Sequence, residues 1–238
     1  MSKVHSSLCN HCSVHYALSS MSIIDEKWIR DRFQFPNSVR IRIPSDEDRA
    51  CHSYANGVCF YEAYFTRGLR LPIHPFVREL FVYLHLALAQ LVPNSWWIVI
   101  SCMVVWVSAN DGDVIKKDVF LHFYCVRKSK VPNYYEFKPW DRVSRLILDY
   151  LSSLQNWKPN FFFVSGNGWE FISSEDLDEA PKFFRSWGTL VFGASFLSFC
   201  YFFTLCEWLW YVTYLFLAIP QCPRLKKRYH HCVEKVKE

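Results

Sequence analysis

Residues 188–219 read GTLVFGASFLSFCYFFTLCEWLWYVTYLFLAI, thirty-two residues with no proline and one charge, Glu207. Gly188 to Cys206 is nineteen residues without a charge, long enough as a helix to cross a hydrocarbon layer of about 30 Å. Trp208, Trp210, Tyr211 and Tyr214 follow like an interfacial belt. The basic residues after it (Arg224, Lys226, Lys227, Arg228, Lys235 and Lys237) would then stay on the cytoplasmic side. Read this way, the run predicts a long hydrophobic helix, a candidate transmembrane segment. It divides the chain into a loose segment (1–21), a folded domain (22–187), the hydrophobic helix (188–219) and a basic tail (220–238).

The part before Trp187 has a different character. The chain holds 238 residues, with 51% hydrophobic and 18% aromatic side chains. That is too apolar for a disordered protein and large enough for a sizeable core. Net charge is +5, and six of the 27 basic residues lie in the last fifteen positions. The cluster reads as a solvated tail or as a contact for nucleic acid or lipid. Ten cysteines are scattered, several inside apolar runs such as Cys102, Cys125, Cys200 and Cys206. This differs from the loop cysteines of a small disulfide scaffold. The first twenty residues contain no continuous apolar segment of a secretory signal. These features read as reduced thiols and a cytosolic or nuclear setting for residues 1–187, in conflict with a span that would place this domain outside.

Local patterns predict a mainly helical α+β domain with a small antiparallel sheet. Ser22 followed by IIDEKWIRDRF places acids in the first turn and Arg30 and Arg32 in the last, which suits the helix dipole. Ile24, Trp28 and Ile29 are the expected buried stripe, and Pro36 the stop. Val39–Ile43 alternates apolar and basic residues as a half-buried strand does. Residues 51–60 read as a loop turning at Asn56-Gly57. Phe60–Leu69 reads as a helix closed near Gly68. Phe76 to Leu91 predicts one amphipathic helix with Phe76, Leu80, Leu84, Leu88 and Leu91 along its inner side. Pro93 suits the first turn of the next helix, through WWIVISCMVVWV, whose all-round apolarity predicts the buried centre of the domain. Val114–Val126 predicts a helix in its first part, with a strand as the other reading of FLHFYCV. VPNYYEFKPW reads as extended, and Trp140–Leu154 as amphipathic. NFFFVS, Asn167-Gly168 and WEFI together predict a β-hairpin.

One block is more specific than these patterns. Arg42-Ile43-Pro44, Tyr61-Glu62-Ala63-Tyr64-Phe65, Gly68-Leu69-Arg70-Leu71-Pro72-Ile73-His74-Pro75-Phe76 and Gln90-Leu91-Val92-Pro93-Asn94-Ser95-Trp96 occur in order, followed by Trp157-Lys158-Pro159-Asn160-Phe161-Phe162-Phe163-Val164. This succession resembles the plant gypsy-type transposon domain, over roughly residues 25–187. The family-pattern residues are Tyr61, Gly68, Leu69, Pro72, His74, Pro75, Phe76, Gln90, Leu91, Pro93, Asn94 and Trp96. The resemblance implies a plant retrotransposon-derived reading frame and supplies no catalytic residues. The chain departs from it after Trp187, where family members continue with polar sequence. The apolar run is therefore either a membrane anchor or translated intron. The second alternative leaves the protein nuclear or cytoplasmic, and the first places it at a membrane.

No recognisable catalytic or cofactor motif emerges. Asp111, Asp113, Asp118, Asp141 and Asp149 fall on turns and helix surfaces, whereas two-metal chemistry needs carboxylates converging about 4 Å apart. Cys9, Cys12 and His15 have zinc-ligand chemistry but no well-placed second pair: Cys51, His52 and Cys59 lie some forty residues on. A weaker group is Cys222, His230, His231 and Cys232. His74, between Pro72 and Pro75, reads as a turn-fixing residue. Of the tryptophans, Trp96, Trp97 and Trp106 read as core, and Trp157 beside Lys158 as a candidate base-stacking contact. The expectation is a non-catalytic module, without cofactor or small-molecule substrate, that associates with itself, another protein or nucleic acid. The basic tail is a further contact for nucleic acid. The alternatives are a single-span membrane-anchored protein and, third, a transposase-like enzyme.

Overall fold

Phe161–Gly166 (β5) is the middle strand of a three-stranded antiparallel sheet in the computed structural model, with Val39–Arg42 (β1) on one side and Val58–Tyr61 (β2) on the other. Ile41 faces Val164 across one ladder and Phe60 faces Phe162 across the other. Phe161, Phe162, Phe163 and Val164 are all buried, as befits a strand paired on both edges and covered on both faces. The structure describes residues 17–52, 57–140, 154–172 and 182–188, together with residues 14, 146, 147, 152, 180 and 190.

This arrangement replaces the expected hairpin of 160–172. Both edges of β5 are taken by strands that precede it by about a hundred residues or more, and residues 169–172 form no strand. The strand ends at Gly166, where φ is +88° and a Cβ would lie 2.6 Å from the Ser38 carbonyl oxygen. Glycine alone fits that close approach. β2 was not legible as a strand, because an unbroken buried VCFY lacks alternation.

Five α-helices are described: Ile23–Phe33 (α1), Glu62–Thr66 (α2), Pro75–Leu84 (α3), Pro93–Ala109 (α4) and Lys117–Phe123 (α5). Ser22 caps α1 in the expected place, with Asp25 accepting from the Ser22 backbone N–H at 2.6 Å. The buried side of α1 is Ile29 and Phe33, however, and Ile24 and Trp28 face solvent. The helix uses one turn fewer of apolar contact than its sequence offers.

α3 is shorter than the 76–91 periodicity predicts. His85 adopts the left-handed conformation and its N–H donates to Phe81 and Val82. The Ala87 N–H, which a continuing helix would give to the chain four residues back, goes instead to Gln90 Oε1 at 3.0 Å. Leu88–Gln90 closes as a 3-10 turn. Leu84, Leu88 and Leu91 are nonetheless buried, so the stripe marks the core correctly while the backbone path changes.

α4 begins at Pro93 as expected. Its Trp96, Ile98, Val99 and Cys102 are buried, whereas Val104 and Val107 are exposed, which corrects the all-round burial predicted for this segment. α5 runs directly into Tyr124–Lys128 (β3), which pairs antiparallel with Tyr135–Pro139 (β4). Both readings of FLHFYCV thus hold, one for each half. Two compact units can be distinguished: residues 1–102 with 116–190, and residues 103–115 with 191–238. The second is described over 103–115 only.

The expected long hydrophobic helix is not found. No helix among the described residues is long and apolar enough to cross a membrane. Among the described residues the fold is corrected to five α-helices with small antiparallel sheets, and the membrane and transmembrane readings lose their support. Residues 191–219 of that expectation, and the basic tail 220–238, lie outside the described residues.

Candidate functional site

Tyr61 ends β2 and turns the chain into α2, and around it several family-pattern residues converge. The Tyr61 and Tyr134 hydroxyls share a buried hydrogen bond of 2.6 Å. The ring of Tyr61 meets Tyr64 edge-on at 5.3 Å and Trp157 at 4.7 Å. Tyr64 donates its hydroxyl to the Leu91 carbonyl at 2.7 Å and lies 5.2 Å from Trp96, which stacks on Phe81 at 5.1 Å. Burial pushes the Tyr61 and Tyr64 hydroxyls well above the usual tyrosine range, so both stay neutral hydrogen-bonding groups. The cluster is a packed aromatic junction between β2, α2, the 3-10 turn and α4.

The remaining pattern residues close turns and caps. Gly68 has φ +104°, a conformation that strains any side chain, and a Cβ there would also press on Ile100 of α4 at 3.1 Å. The Leu69 N–H reaches back to Tyr64 O at 3.1 Å. His74 precedes Pro75 at the head of α3, and its Nδ1 accepts the Phe76 N–H at 3.2 Å. Burial, with the Arg78 charge nearby, holds the His74 imidazole below its ordinary range, which keeps Nδ1 an acceptor. The residue serves local structure, as the sequence suggested, but by accepting a backbone N–H and not by bonding a carbonyl. Gln90 binds Ala87 N and Gly188 N through Oε1 and donates to Gly188 O at 2.7 Å.

A charged assembly that the sequence did not announce lies next to this junction. Glu170 is buried and accepts the Phe183 N–H at 2.8 Å through Oε1, while Arg185 pairs with Oε2. Buried Arg78 donates to the Glu170 carbonyl at 2.5 Å and lies over Phe171. Arg185 lies over Trp169. On β1, Arg42 grips Asp48 with two hydrogen bonds of 2.7 and 3.1 Å and holds its carboxyl well below the usual carboxylate range.

Of the predicted metal ligands, Cys9, Cys12 and His15 lie outside the described residues, as do Cys222, His230, His231 and Cys232. Among the described residues no three His, Cys, Asp or Glu side chains are grouped to hold a metal ion. Asp111 and Asp113 are exposed in the turn after α4, and Asp118 pairs with Lys117 at 3.1 Å. Asp141 and Asp149 are not described. A cleft lined by His52, Val58, Cys59, Leu88, Phe184 and Trp187, among others, encloses about 10 Å³, room for a single water at most. It is far smaller than the ~300–1,000 Å³ of small-molecule pockets. Trp157, the candidate stacking contact, is buried between Tyr61 and Tyr134 and presents no open ring face for a base.

Residues 58–128 match the family model described as "Putative gypsy type transposon". The matched span runs from β2 through β3 and contains every family-pattern residue from Tyr61 to Trp96. The likeness to that family covers a narrower span than the 25–187 resemblance; Arg42–Pro44 and the Trp157–Val164 segment fall outside it. No curated protein and no solved structure matches the chain.

Proposed function

We propose that this is a retrotransposon-related protein whose folded domain is a non-catalytic association module, binding protein or nucleic acid. The observation that carries the reading is the use made of the family-pattern side chains. Tyr61, Tyr64, Leu91 and Trp96 pack one junction, and His74 and Gln90 cap and clamp backbone. Residue types shared with a transposon family are thus spent on holding a shape. A module of this kind presents its surface, whereas an enzyme requires polar groups converging on an accessible cleft.

The test is association by the full chain. Sedimentation across a concentration series reads self-assembly. Filter retention of single- and double-stranded DNA and RNA across a salt series reads nucleic-acid contact, the slope reporting the number of phosphates engaged. Self-assembly or salt-sensitive retention is the expected result. A monodisperse monomer that retains no nucleic acid, and binds no protein made from the same element, overturns the proposal. So does metal-dependent strand cleavage abolished by a single acidic substitution.

A further inference from the structure

α1 turns its hydrophobic residues the wrong way for a helix that only closes a core. Ile23 is 80% exposed, Ile24 82% and Trp28 43%, while Ile29 and Phe33 are the buried residues of the helix and Arg30 ties it to the Pro36 and Val39 carbonyls. Lys27, Asp31 and Arg32 share the outward side with them. An exposed apolar row rimmed by charge is the usual mark of an interaction surface.

The charges say what the surface fits. α1 carries Asp25, Glu26 and Asp31 against Lys27, Arg30 and Arg32, a net charge of zero. On the outward side itself Lys27 and Arg32 flank Asp31, so the face carries both signs of charge. The order along the helix is acidic first and basic last, and a second α1 laid antiparallel reverses that order. With the two-fold axis level with residue 29, Lys27 faces Asp31 of the second copy on either side of it, and the two Trp28 rings lie close to the axis, while Asp25 stays on its own Ser22. The same surface serves both partners, as an isologous contact requires. Trp28 already carries Arg32 over its ring at 5.1 Å, so the indole is held at the surface.

We propose that the outward face of α1 is a self-association surface whose partner is α1 of a second copy of this chain. This deepens the association reading and rests on it. An eleven-residue helix is about 16 Å long, so the contact is well below the ~800 Å² per partner of a standard interface. The dimer is therefore weak, and its population rises with protein concentration.

Sedimentation velocity of the full chain at about 0.15 M salt tests this, with circular dichroism confirming that each variant folds. Reversible dimerisation is expected. Ile24→Asp and Trp28→Ala should each weaken it by about tenfold or more. Lys27→Glu and Asp31→Lys should each weaken it severalfold, and the two together should restore it. Dimerisation untouched by all four substitutions overturns the α1 surface while leaving the association reading standing, and so does a monomer that still retains nucleic acid. Loss of nucleic-acid retention in Trp28→Ala at unchanged oligomeric state assigns the face to nucleic acid and overturns the proposal. A monomer without any retention removes both.

Discussion

The hydroxyl of Tyr61 lies 2.6 Å from that of Tyr134, out of reach of water, and joins the end of β2 to the residue before β4. Removing either partner strands the other hydroxyl in the interior. Tyr61→Phe and Tyr134→Phe should each cost about 1–3 kcal/mol in urea unfolding. The double variant should cost less than the sum, because no polar atom is then left unpaired. Additive losses would show that the hydrogen bond contributes nothing beyond ring packing.

Trp96 is wholly buried between Tyr64 and Phe81, while Val104, two turns along the same helix, is 60% exposed. Trp96→Ala should destabilise by about 3–5 kcal/mol, and Val104→Ser should stay within about 0.5 kcal/mol. Thermal and denaturant unfolding of both variants compares them directly.

His74 accepts a hydrogen bond in its neutral form, and burial lowers its pKa relative to the unfolded chain. The unfolded state then takes up the proton first. This contribution is fully present above about pH 6.5, the unfolded value, and is lost as pH falls through the lower folded value. His74→Asn, which keeps a capping acceptor that does not titrate, should flatten stability between pH 7 and 5. His74→Ala should lose about 1 kcal/mol at neutral pH. An unchanged pH profile in the asparagine variant would remove the assignment.

Gln90 ties Ala87 and Gly188 together through three hydrogen bonds. Gln90→Leu keeps the volume and abolishes all three. Protease cleavage near residues 185–190 should become severalfold faster, with global stability falling by about 1–3 kcal/mol. Equal cleavage rates in both proteins would show that other contacts hold this segment.

Cys59 is buried with its thiol pKa raised, and Cys102 is buried with its thiol pushed up to about 12, whereas Cys51 is half-buried. Alkylation at pH 7.5 followed by peptide mapping should label Cys51 well before Cys59 or Cys102, since the thiolate is the reactive form. Denaturant should make the three equal. Rapid native labelling of Cys102 would contradict its placement on the inner side of α4.

Local chemistry was legible wherever a single residue settles it. The Ser22 start of α1, the Pro93 start of α4 and the Gly68 closure of α2 were read from the chain, because each depends on backbone geometry within a few residues; His74 was read as fixing a turn, and that it does so by accepting the Phe76 N–H was not. Pattern reading also found most of the buried stripe from Phe76 to Leu91. It could not see that Gln90 would take the Ala87 N–H and break that helix, since α-helix and 3-10 turn bury the same leucines.

The aromatic junction was half visible. Its members were marked by their resemblance to a transposon family, yet Tyr134 and Trp157 come from segments far along the chain. Glu170 was read as part of a hairpin strand and is instead a buried carboxylate serving Phe183 and Arg185. No local signal separates a strand glutamate from one that is to be desolvated beside an arginine.

The sequence by itself determined which residues avoid water, where several helices start and stop, and a resemblance borne out as a family match over residues 58–128. Tertiary structure alone decided that β5 lies between β1 and β2, which way α1 turns its isoleucines, and which polar groups are buried in pairs. The reason is the range of the forces involved. Caps and turns are satisfied by neighbours in the chain, whereas strand pairing and burial are settled among groups separated by about a hundred residues, each competing for the same few partners.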